Sequence, residues 1–117
     1  MTLKRMVVEL GMGVDIRGGD STKAAVRALR DALWRNSLDV TSILGLPLDA
    51  MHVDVRIGVP RPETVDRAAV LAILPNGVGT VSVLEGGLEI PKDDGTSTTL
   101  LAHAAAIVYV DVQERAP

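Results

Sequence analysis

Apolar and polar positions alternate along residues 51–59, with Met51, Val53, Val55, Ile57 and Val59 on one side and His52, Asp54, Arg56 and Gly58 on the other. A period of two is the spacing of a strand with one buried face. Residues 101–112 repeat it: Ala104, Ala106, Val108, Val110 and Val112 fall on one side, and His103, Ala105, Ile107, Tyr109 and Asp111 on the other. Residues 3–10 carry the same rhythm, setting Met6, Val8 and Leu10 against Val7 and Glu9, and Gly11-Met-Gly13 is expected to stop that strand. Thr80-Val-Ser-Val-Leu84 predicts a further strand. Leu88-Glu-Ile90, past a break or bulge at Glu85-Gly-Gly87, predicts its continuation.

Between these runs the rhythm changes to that of helices. Ala25, Val26, Leu29, Ala32 and Leu33 recur at helical spacing over residues 22–36, beside a stripe of Lys23, Arg27, Arg30 and Trp34. Asp20 or Ser21 supplies the N-cap, and residues 14–20 read as a glycine-rich loop. A second helix is expected over residues 63–74, with Val65, Ala69, Val70, Ile73 and Leu74 as its apolar stripe. Pro60-Arg-Pro62 opens it and Pro75-Asn-Gly77 ends it. Residues 36–47 and 91–97 read as loops, and residues 113–117 as a frayed tail.

The order β-α-β-α-β-β predicts one α/β (α+β) domain over residues 1–117, a mixed four-stranded sheet with two helices on one face. The covered face takes the Met51 to Ile57 set with Ala104, Ala106, Val108 and Val110. The opposite face carries Glu9, His52, Asp54, Arg56, His103, Tyr109 and Asp111, and meets water or another subunit. This order resembles the chorismate-mutase-like fold, which implies sheets closed into a barrel with helices outside and ligand sites between subunits. The alternative is a ferredoxin-like β-α-β-β-α-β arrangement, which needs a strand at residues 39–44.

Composition sharpens the expectation of assembly. The 117 residues are 47% hydrophobic but include no Phe, one Trp and one Tyr, so each buried side chain contributes little area. A homo-oligomer, a trimer or a multiple of three, recovers the missing burial at interfaces. A net charge of −3 with interspersed signs and few stacking residues argues against nucleic acid as a partner. The absence of cysteine excludes disulfides and thiolate chemistry. No apolar run approaches the roughly twenty residues that span a bilayer, so no membrane role and a cytoplasmic location are expected. Nothing in the pattern calls for a cofactor.

Residues 11–20 run from a strand into a helix, the setting for an anion held on backbone amides, without either nucleotide fingerprint. Gly13, Arg17, Gly19, Asp20 and Ser21 are therefore candidate ligand-binding residues. Lys23 stands in the first helical turn, where the dipole disfavours a cation, and a partner in Asp15, Asp20 or Glu85 would explain it. Glu85, at a bulge, joins Gly86 and Gly87 as a further candidate. The catalytic candidates are thus Lys23, Glu85 and Asp15, acting on a small polar metabolite by acid–base or hydrolytic chemistry at intersubunit pockets. The alternative is a non-catalytic ligand-binding or assembly module. His52 and His103, which share a face with Asp54 and Asp111, lack a third partner at fixed spacing and define no metal site.

Val7-Val-Glu-Leu-Gly-Met-Gly-Val-Asp15, Gly19-Asp-Ser-Thr-Lys-Ala-Ala-Val-Arg-Ala28, Ile57-Gly-Val-Pro60 and residues 81–88 resemble the Lin zero-five-one-two family of conserved uncharacterised bacterial proteins. That resemblance implies a family and no reaction. More distantly, the chain is similar to one repeat unit of the ring-opening amidohydrolases of the cyanuric acid and barbiturate type. This implies amide or ring hydrolysis by a Ser-Lys pair, with Ser82 and Lys23 as the counterparts and Glu85 where a nucleophilic Ser would stand.

Overall fold

The structure is a computed structural model that describes residues 1–34, 44–75 and 77–113. The chain runs through strand β1 (Leu3–Asp15), helix α1 (Ser21–Trp34), strand β2 (Met51–Val59), a short helix α2 (Arg67–Leu71), strand β3 (Val78–Glu85), strand β4 (Leu88–Pro91) and strand β5 (Thr98–Asp111). Single 3-10 turns precede β2 and α2, at Leu48–Ala50 and Pro62–Thr64. The result is a small α+β domain with both helices on one side of a mixed sheet. The sheet has five strands where four were expected, because residues 88–91 pair with β5 as a separate strand.

β5 lies inside the sheet, antiparallel to β1 on one edge and to β2 on the other, and β3 adds to β2 in parallel. β1, β2 and β3 therefore point the same way, and the segments leaving their carboxyl ends gather at one end of the domain. The ferredoxin-like alternative does not fit, since the last strand separates the first from β2. The strand it needed at 39–44 falls outside the described residues except for Leu44, which sits in a turn.

The core forms where the alternation placed it. Met51, Val53, Val55, Ile57 and Val59 are all buried, as are Ala104, Ala106, Val108 and Val110. Ala24, Ala25, Ala28 and Leu29 of α1 close over them. The polar stripe of α1 is exposed, Trp34 at 86%.

Three expectations are corrected. First, Gly11 and Gly13 do not end β1, which runs on to Asp15. A Cβ at Gly11 would stand 2.6 Å from Ala28 O, and one at Gly13 2.5 Å from Ala24 O, with the amide nitrogens of Ala32 and Ala28 closer still. The two glycines let the helix backbone lie directly on the strand, so the loop shrinks to residues 16–20. Second, β1 presents Glu9 to the helix side, where it is buried, whereas Val8, Leu10 and Met12 are exposed on the opposite face. Third, the second helix is shorter than residues 63–74. Val65 is extended, and Asp66 starts α2 by accepting from Ala69 N at 3.2 Å while its own amide donates to Thr22 Oγ1 at 2.8 Å. Among the described residues no helix is long and apolar enough to cross a membrane.

Candidate functional site

The loop from β1 into α1 is organised by its own acids. Asp15 is buried at the end of β1, and its Oδ2 accepts from Asp20 N at 2.9 Å. Arg27 reaches back from α1, its NH1 donating to Val14 O at 2.7 Å and lying 3.8 Å from Asp15 Oδ1. Asp20 is the N-cap of α1, accepting from Lys23 N at 3.1 Å. Ser21 is buried, and Thr64 Oγ1 stands 2.8 Å from Ser21 Oγ and 2.7 Å from Arg61 O. Asp15 and Asp20 thus tie the loop and cap α1, while Ser21 and Thr22 hold the start of α1 to the segment after β2. Gly13 carries the helix, and Gly19 takes a positive φ of 60°. Arg17 is exposed beside Gly18 and Gly19.

Glu85 belongs to another place. After it the chain crosses the end of β2 to reach the edge of β5, with Gly86 N donating to Val59 O at 3.0 Å. A Cβ at Gly86 would sit 3.2 Å from Gly58 Cα, and one at Gly87, which has φ +66°, would collide with Leu101 O. The glycine pair lets three strands meet at one point. Because Gly58 has no side chain, the uncovered face dips beside it. The dip is a depression of about 300 Å³ lined by Leu10, Arg56, Leu84, Glu85, Gly86 and His103, with Gly58 in its wall.

The three catalytic candidates are therefore not brought together. Asp15 is occupied in its loop, and Lys23 is exposed on α1 without a side-chain bond among the described residues. Glu85 lines the depression with His103 and Arg56 instead. Arg56 donates from Nε and NH2 to Asp54 Oδ2 at 3.1 and 3.0 Å. Ser82 pairs in register with Arg56 on the uncovered face, whereas Lys23 rides on the helix side, so the two do not form a Ser-Lys pair. Among the described residues no group of three or more His, Asp or Glu side chains could hold a metal ion.

A second concavity takes in Arg17 and Gly19 of the loop expected to hold an anion, together with residues that the sequence did not single out. The turn between β4 and β5 brings Thr96, Ser97 and Thr98 against Arg17, Gly18 and Gly19, and Arg61 comes in from the end of β2. The cleft measures about 410 Å³. Arg61 NH2 donates to Glu89 Oε1 at 2.8 Å. Its signal was the position of Arg61 just past a strand's carboxyl end, where loops of such sheets carry ligand sites.

Fold and site together define a small α+β domain with helices on one face, a bare second face, and clefts at the carboxyl ends of its strands. The chain belongs to the family described as "Conserved hypothetical protein (Lin0512_fam)", whose model matches residues 5–110. Among solved structures it is similar to an FtsZ-like protein of unknown function from Nostoc punctiforme, with 36% identity and a TM-score of 0.83, over 94% of this chain and 98% of that one. No curated protein matches. The likeness to the amidohydrolases is not shown by these comparisons.

Proposed function

We propose that the protein is a self-assembling module whose copies meet through the uncovered sheet face and enclose a small polar ligand in the depression beside Gly58. One observation carries this reading. Val8, Leu10 and Met12 of β1, Leu84 of β3 and Leu88 and Ile90 of β4 all lie exposed on that face, Leu10 at 64%. Contiguous apolar surface of this kind marks an interaction site.

A second copy is the occupant that fits. Four strands spaced about 4.8 Å apart, with about ten residues rising 3.4 Å each, make a face of about 650 Å², at the lower end of the roughly 600–1,000 Å² per partner of a stable interface. The face also carries both signs, Arg56 paired with Asp54, so it does not repel a second copy as a face of one sign would. The aromatic-poor core adds a reason for the chain to seek further burial.

Light scattering at micromolar concentration tests the reading. The expected result is an oligomer for the native chain and a folded monomer for Leu10→Asp. A native monomer, or a Leu10→Asp variant that assembles as before, overturns it. A second reading, a hydrolytic enzyme at the same depression, is favoured by the meeting of Glu85, His103 and Arg56 there. Of the original catalytic set it keeps only Glu85.

A further inference from the structure

The cleft between Arg17 and Arg61 is built from three separated segments. Residues 17–19 follow β1, Arg61 follows β2, and residues 95–98 turn from β4 into β5. Its volume of about 410 Å³ falls in the range of small-molecule sites, and it opens at the carboxyl ends of parallel strands, where ligands of open α/β sheets bind.

The chemistry of its walls is that of an anion site. Two arginines and one carboxylate, Glu89, line it, and Glu89 engages only NH2 of Arg61. A guanidinium has five N–H donors in a fork that matches a planar oxyanion, so Arg61 keeps donors to spare. Arg17 is exposed and makes no side-chain bond among the described residues. The Thr98 hydroxyl in the same wall is shielded from solvent and has no hydrogen-bond partner among the described residues, a condition that asks for a water or ligand atom. The end of α1 does not supply the recognition, because Asp20 already occupies its cap. The nearer acids are likewise committed, Asp15 to Asp20 N and Asp94 to Thr96.

We infer that this cleft binds a small metabolite through an oxyanion, carboxylate or phosphate, gripped between Arg17 and Arg61. The site is separate from the depression beside Gly58 and does not rest on assembly.

Isothermal titration calorimetry of the full chain tests this with two probes, inorganic phosphate and malonate. At least one should bind, and the one that does names the head group. Arg17→Glu and Arg61→Gln should each weaken that binding by about tenfold or more. Arg30→Glu, which makes the same charge change as Arg17→Glu on the exposed stripe of α1, should leave it unchanged. Failure of both probes to bind at millimolar concentration overturns the inference. So does equal weakening by Arg17→Glu and Arg30→Glu, which would mean that net charge alone is being read. Arg17 supports no described contact, so its variant remains informative even if Arg61→Gln folds poorly.

Discussion

The two faces of the sheet differ most plainly along β1, in the size of what that strand presents to each. Strand β1 shows this residue by residue. Toward α1 it sets Gly11 and Gly13, with Ala24, Ala28 and Ala32 of the helix against them, so that backbone meets backbone. Away from α1 it sets Val8, Leu10 and Met12, which nothing among the described residues covers. Along residues 10–13 of β1, side chains are absent where the cover is present and large where it is missing. Close packing explains the first, since an interior near crystal density leaves no room for a methyl group. The second has the character of an interior surface awaiting its other half.

The contrast can be broken by substitution. Gly13→Val should have the largest effect. The new side chain would have to displace the backbone of α1, and overpacking of that kind costs about 3 kcal/mol or more. Thermal melting followed by circular dichroism should fall by at least about 10 °C or show no cooperative transition. A melt within a few degrees of the native one would mean that α1 lifts off freely, and the covered face would lose its distinction.

Leucines on the two faces should then diverge. Leu29→Ala empties a fully buried position and should cost about 2–5 kcal/mol in urea unfolding. Leu84→Ala, half exposed on the other face, should stay within about 0.5 kcal/mol at concentrations where the chain is monomeric. Equal losses would show that the bare face is not bare in solution.

The smallest effect lies in the turn between β4 and β5, at the margin of both faces. The Thr96 amide and then its hydroxyl donate to Asp94 and hold its carboxyl below the ordinary carboxylate value. A lowered pKa in the folded chain means that the contribution is complete above the unfolded value and is lost as pH falls through the folded one. The Thr96 amide resonance should move with the Asp94 titration in acid, while amides of the covered face stay fixed. Concerted movement of both would mean that the turn and the core open together.

Much of this was legible in the alternation. Met51 to Val59 and Ala104 to Val110 announced their buried face, and the stripe from Ala25 to Leu33 announced the longer helix. Gly11-Met-Gly13 misled because glycine serves equally as a break and as a place of close approach. The better signal was complementary: alternation continues through Gly11 and Gly13 to Asp15, and Ala24, Ala28 and Ala32 repeat every fourth residue in α1. With that strand's reach misjudged, its faces were exchanged too, and Glu9 went to the wrong side. Asp15 read as a catalytic group and Asp20 and Ser21 as ligand groups because the acids and hydroxyls that cap a helix and tie a loop are also the residue types that do chemistry in a polar site. Only distances separate the two uses. Arg61 and Glu89 lie far apart in sequence, and no local pattern joins them.

The position of β5 carries a consequence in time. The last of the described strands is the one that β1, β2 and β4 all pair with, and Leu3 is in register with Asp111. As the chain leaves the ribosome, β1 waits unpaired, its edge able to join any strand nearby, until residues 98–111 emerge. Contacts so distant along the chain make for slow folding. A chain cut short before residue 98 lacks the strand that β1 pairs with.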